Sequence, residues 1–180
     1  MGMIDLDLEA QGVYQVISDL QATEAQVQQA LRSTLRKMAS WMRTRSVRGL
    51  STHLQIQQKV IRRRLRSFNL RTSPDGATIT VWYGLNPISL IYLGARQNKS
   101  GVTAGAHKRP GAFIARGAGG HRQVFKRRGG ARLPLDKQRL DIEDKAVTFL
   151  EDKVIGDADF EAQFHKVFEH ELTWRTQIRK

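Results

Sequence analysis

The sequence predicts an α+β fold, a small antiparallel sheet covered by N-terminal and C-terminal helices, with a long basic Gly-rich loop. Three observations carry this. Apolar residues recur at helical spacing early in the chain (Val27, Leu31, Leu35, Met38, Met42) and again near its end (Phe160, Phe164, Val167, Phe168, Leu172). Between them, Thr78 to Tyr83 is β-branched and aromatic, as a strand requires. After it, short apolar runs (Ile88 to Leu93, Ala112 to Ala115, Val124 to Phe125) alternate with stretches rich in Gly, Lys and Arg, and no Asp or Glu occurs from Trp82 to Leu135.

Taken in order, Ile4, Leu6 and Leu8 alternate with Asp5, Asp7 and Glu9, which predicts a short half-buried strand. Val13, Val16, Ile17 and Leu20 predict a short helix from about Gly12 to Leu20. Thr23 with Gln26 is a capping-box pair, so a long helix follows, with Gly49 as its stop. Thr52 with Gln55 repeats the pattern and predicts a second helix over Leu54 to Phe68. That helix would carry Arg62, Arg63, Arg64 and Arg66, which suits a phosphate-binding face and equally a face turned to solvent. Ser73-Pro74-Asp75-Gly76 is a turn before the Thr78 to Tyr83 strand. Ile88 to Leu93 reads as either a strand or a short helical turn, and Gly94 to Gly111 as a loop. Ala112 to Arg116 and Arg122 to Lys126 form a hairpin with a flexible Gly-rich tip, and Arg132 to Leu135 adds a last short strand. A helix from Asp141 or Ile142 to Ile155 is stopped by Gly156. Asp157 or Asp159 caps the final helix, whose tail WRTQIRK is expected to fray. At 180 residues the chain is expected to be a single domain over 1–180, with residues 94–132 as an extension within it.

Net charge is +13, and its distribution is uneven. Residues 1–24 hold five acids and no Lys or Arg; residues 25–135 hold 22 Lys and Arg against the one acid Asp75; residues 136–180 hold eight against eleven. A basic middle between acidic ends points to a polyanion such as nucleic acid, or to copies of the chain meeting basic face to acidic face. The absence of cysteine excludes disulfides and thiolate chemistry. The start MGMIDLDLEA carries early acids and no apolar core, so it does not read as a signal peptide. No apolar run reaches the length of a membrane span, so no membrane partner is expected.

Signatures of catalysis are missing. His165 and His170 are five apart on a helix, not the four that would put a metal pair on one face. Lys99-Ser100 resembles the end of a phosphate-binding loop, but Asn98 stands where glycine is needed. There is no GxSxG, and paired-carboxylate chemistry would need acids from the two chain ends to converge. Neither catalytic nor metal residues are assigned, and no cofactor. The candidate DNA-facing or subunit-interface residues are Arg62, Arg63, Arg64 and Arg66 in the predicted arginine helix, Arg96, Lys99, Lys108 and Arg109 in the predicted loop, and Arg116, Arg122, Lys126, Arg127, Arg128 and Arg132 in the hairpin and its end.

The ordered segments VWYGLNPISL (residues 81–90), LGARQNKSGV (93–102), GAFIARG (111–117) and VFKRRGGARLPL (124–135) resemble the prophage minor tail protein Z family of long-tailed phages. RTRSVRGLS, KVIRRRLR and the ending HELTW agree, so the resemblance spans most of the chain. It implies a structural virion protein, assembled in the host cytoplasm, acting at the head-proximal end of the tail in tail completion and head-tail joining. Related neck proteins are α+β subunits forming rings, commonly sixfold, around the DNA channel; other tail and neck proteins would be partners. The family brings no catalytic residues. The alternative reading is a free nucleic-acid-binding module using the basic middle segment, although no known binding motif and few aromatic residues accompany the basic runs.

Overall fold

Helical spacing at both ends and strand runs between them produce the predicted α+β fold. The computed structural model describes residues 3–4, 11–73, 76–156 and 158–178. Within it, residues 2–46, 65–84 and 149–180 gather into a helix-rich unit, and residues 47–64 and 85–148 into a strand-rich unit.

The helix-rich unit begins with β1 (Met3–Ile4) and α1 (Gln11–Asp19). The remainder of the predicted acidic strand lies outside the described residues. The long helix α2 (Glu24–His53) starts at the predicted capping box: Thr23 N–H donates to Gln26 Oε1 at 2.9 Å, and Gln26 N–H returns to Thr23 Oγ1 at 3.4 Å. Its buried stripe runs through Ala30, Leu35, Met38, Ala39 and Met42. Two strands follow in this unit, β2 (Leu65–Ser73) and β3 (Gly76–Tyr83), a hairpin to which β1 adds on the other edge of β3. Ser73 pairs with Gly76 where the turn was expected; Pro74 and Asp75 themselves lie outside the described residues. Tyr83, 1% exposed, shares a 3.0 Å hydrogen bond with the buried hydroxyl of Ser46.

The last helix of this unit spans Ala158–Thr173, and Phe160, Phe164, Phe168 and Leu172, each four residues after the last, form its buried face. Phe164 and Phe168 stack with centroids 6.1 Å apart, and Phe160 meets Trp41. Ser33 contacts Arg175, Lys37 contacts Glu171 and Arg45 contacts Asp159, so this helix runs antiparallel to α2. The tail was expected to fray; as far as Ile178 a π-helical turn (Trp174–Ile178) instead continues the helix and is pinned, while Arg179 and Lys180 lie outside the described residues. Arg175, its side chain 12% exposed, donates to Glu171 Oε2 and to Ser33 Oγ, and its carbonyl accepts from Gln26. Burial pushes the Glu171 carboxyl up, but hydrogen bonds from Lys37 and Arg175 and their charges outweigh it and hold it below the usual range. A depressed folded pKa gives stability that is present above the unfolded value of about 4.3 and lost as pH falls through the folded one. Glu171→Gln is therefore expected to cost about 2–3 kcal/mol at neutral pH and to flatten the acid limb of a stability–pH curve measured by denaturant melts. An unchanged acid limb would show that Glu171 does not carry it.

The strand-rich unit starts inside α2. Gly49 does not stop that helix, because Val47 and Leu50 extend its buried stripe and their packing outweighs the roughly 1 kcal/mol cost of a helical glycine. Instead Gln55 turns to φ +54, and Ile56 N–H reaches back to Ser51 O at 3.0 Å, the geometry of a Schellman stop with glutamine where glycine is usual. Thr52 and Gln55 thus belong to a helix end, not to a second helix start. The predicted arginine helix over Leu54 to Phe68 reduces to α3 (Gln58–Arg62), buried through Val60 and Ile61, and the chain becomes strand β2 at Leu65.

Ile88 to Leu93 takes both forms the sequence allowed, β4 (Ile88–Ser89) and then a 3-10 turn (Leu90–Leu93). The expected Gly94 to Gly111 loop is a three-stranded antiparallel meander instead, β5 (Arg96–Asn98), β6 (Gly101–Ala104) and β7 (His107–Pro110). Asn98 Oδ1 accepts from the N–H and hydroxyl of Ser100 and closes the first turn, so pairing, not composition, orders this segment. The predicted hairpin forms as β8 (Ala112–Arg116) and β9 (Arg122–Arg127). The strand expected at Arg132 to Leu135 is β10 (Leu135–Lys137), after a cis peptide bond at Leu133-Pro134. β11 (Arg139–Leu140) pairs with β4, and α4 (Glu143–Leu150) leads into a π-helical stretch to Ile155, closed by Gly156 N–H on Glu151 O. The final helix Ala158–Thr173 is thus α5. Ile88, Leu90, Val102, Ala104, Val124, Ile142 and Ala146, all at most 2% exposed, centre the core of this unit.

Candidate basic surface

The division into units also divides the charge. The strand-rich unit carries 18 Lys and Arg against four acids, whereas the helix-rich unit carries twelve against 13. The strand-rich unit is thus +14 and the helix-rich unit −1, so the excess charge of the chain sits on the strand-rich unit.

Register decides which basic residues share a face. In the meander, Arg96 pairs with Thr103 and Thr103 with Lys108, so the three form one row across the strands, with Arg96 and Lys108 about 10 Å apart. Val102 and Ala104 alternate with Thr103 and are buried, so this row faces outward, and Arg96 and Lys108 are exposed. Arg109 pairs with Val102, belongs to the opposite face and is half-buried. Lys99 stands exposed in the two-residue turn between β5 and β6, so Lys99-Ser100 is a hairpin turn and not a phosphate loop.

In the second sheet, ordered β10-β9-β8, Arg116 lies directly opposite Arg122 on the last rung before the tip. Lys126 sits at the other end, opposite Ala112 and beside Asp136. Arg128 donates to both carboxylate oxygens of Asp136, at 2.8 and 3.3 Å, and this holds the Asp136 carboxyl below its usual range. Arg127 lies over the Phe113 ring at 5.7 Å, and Arg132 is exposed in the loop before β10. Arg62 and Arg63 are exposed at the end of α3, whereas half-buried Arg64 donates to Asn86 O at 2.6 Å, its pKa lowered by burial. Arg66 is not in the expected helix but on β2, which belongs to the helix-rich unit.

The arrangement also contains groups that the sequence reading passed over. A cavity of about 270 Å³ is lined by His53, Gln55, His107, Asp141 and Lys145 among others. His107 Nε2 lies 3.2 Å from Leu54 O, and since a carbonyl only accepts, that nitrogen carries the proton. Three distant pieces of chain build this cavity, so no local motif announces it. Among the described residues no three His, Asp or Glu side chains converge as a metal set, and no helix is long and apolar enough to cross a membrane.

The family model of prophage minor tail protein Z (GPZ) matches residues 10–176. The chain belongs to the prophage minor tail protein Z family. The match runs through both units, and the family is one of structural proteins of phage tails. No curated protein and no solved structure matches the chain. As a minor tail protein Z, the chain carries the segments named above in its strand-rich unit: GLNPISL reaches β4 and the 3-10 turn, AFIA lies in β8, and RLPL leads into β10.

Proposed function

We propose that the chain is a tail-completion subunit that joins tail to head at the head-proximal end, without catalytic activity, and that it assembles as a ring around the DNA channel. The observation that carries this reading is the family membership over residues 10–176. Two further features support it. The basic middle of the chain and its acidic ends, five acids without Lys or Arg in residues 1–24 and eleven against eight in residues 136–180, supply complementary charge for a head-to-tail contact, which closes into a ring when its rotation allows. The outward row of Arg96 and Lys108 offers a surface for an acidic neighbour or for DNA. The test is a phage deleted for this chain. Electron microscopy of its lysates is expected to show filled heads and separate tails, with joining and infectivity restored when the chain is supplied in trans. Joined, infectious particles without the chain would overturn the reading. Light scattering of the purified protein addresses the ring: a discrete oligomer that dissociates at high salt is expected, and a monomer at every salt concentration would remove self-assembly through charge.

A further inference from the structure

The tip of the β8–β9 hairpin is the most concentrated unbalanced charge that the register creates. Arg116 and Arg122 face each other on one rung, both exposed, and like charges placed directly opposite repel. His121, also exposed, is the next residue of the tip. The one carboxylate in this sheet, Asp136, stands on the rung of Ala112 and Lys126, about 14 Å along β9, and is engaged by Arg128. The rung also lies beyond the third strand, because β10 pairs only with residues 125–127 and Gln138 N–H closes on Val124 O. What remains is a two-stranded ribbon ending in Gly117-Ala118-Gly119-Gly120, shaped by bonds from Gly117 N–H to His121 O and from Gly120 N–H to Gly117 O, with Gly120 at φ +75.

We propose that this tip binds the phosphodiester backbone of duplex DNA through Arg116 and Arg122; the choice of duplex DNA rests on the tail-subunit reading. Phosphate chemistry fits the tip better than a protein surface does. A protein interface needs apolar or aromatic anchors at its centre, and between Arg116 and Arg122 the side chains are only those of Ala118 and His121. A phosphate needs guanidinium donors, which present a planar fork, and open backbone that permits close approach. The exposed apolar side chains Tyr92 and Leu133 belong to other turns of the unit. Such contacts neutralise phosphates and release counterions, so they are salt-dependent and indifferent to base sequence.

The experiment compares the full chain with R116Q/R122Q and R116K/R122K, titrated into a short labelled duplex over about 50 to 200 mM salt. The glutamine pair is expected to leave the melting temperature unreduced and to make the slope of log K against log salt shallower by about 1.8, two phosphates' worth. The lysine pair is expected to keep the wild-type slope. An unchanged slope in R116Q/R122Q, or no binding by the wild-type chain at low salt, overturns the proposal. So does a variant that binds DNA normally but no longer self-associates, which would assign the tip to a neighbouring subunit. Mass spectrometry of purified tails tests the tail assignment separately. A chain absent from tails whose slope still drops in R116Q/R122Q would sink that assignment and support the DNA contact.

Discussion

Truncation of Phe168 to alanine is expected to lower the unfolding free energy by about 3–5 kcal/mol. Phe168 is 1% exposed and stacks on Phe164 with an interplanar angle of 5°, in the middle of the α5 face. Removing the ring deletes its transfer free energy and leaves a cavity that two long helices cannot close by shifting. Against a typical total of about 5–15 kcal/mol the loss is about a fifth or more, so the variant should show a clearly lowered melting temperature. Chemical denaturation of the wild type and variant checks this. A loss below about 1 kcal/mol would mean that the ring is not packed as described.

Alanine at Gly101 is expected to cost about 3 kcal/mol and to release β7 from β6. Gly101 sits at φ +147, and a Cβ there would lie 2.3 Å from Arg109 O and 2.8 Å from Gly111 N, both backbone atoms that cannot swing aside. The residue opposite it in register is Pro110, whose Cα would lie 3.0 Å from the added carbon, so only glycine allows the strands to approach this closely. Gly129→Ala, with nothing within 4 Å of the added carbon, is the control and should change stability by under about 0.5 kcal/mol. Amide exchange across residues 101–110 reads the difference. Equal protection in both variants would refute the close approach. The basic row would be lost with it, since Lys108 is aligned with Arg96 only through that pairing.

Local chemistry was legible where it was sufficient. Thr23 and Gln26 announce the start of α2 because a capping box needs only residues three apart. The β-branched run to Tyr83 and the β8–β9 hairpin were readable for the same reason. The end of α2 was not, because Gln55 adopts a left-handed conformation that glycine usually signals, while Gly49 lies within the helix. Residues 96–110 looked like a loop because strand-forming side chains are few there, and order comes from tight turns and a pairing register that no local window contains. The candidate surface shares this limit. The sequence names Arg96, Lys108, Arg116 and Arg122, but only register shows that the first pair shares an outward row and the second a rung. The fraying expected at the chain end overlooked Arg175, whose partners are Glu171, four residues back, and Ser33, 142 residues away.

That last separation bears on the order in which the protein can form as it is made. The meander joins residues at most about a dozen positions apart, so it can close while the ribosome is still translating. The helix-rich unit draws on residues 2–46, 65–84 and 149–180, and its α2 stripe has no α5 to cover it until Phe160 to Arg175 have emerged. At roughly 5–20 residues per second, that leaves the part of the α2 face that α5 covers bare for several seconds of every synthesis. Nascent chains are therefore most exposed to mispairing with one another along this helix, and least along the basic strands.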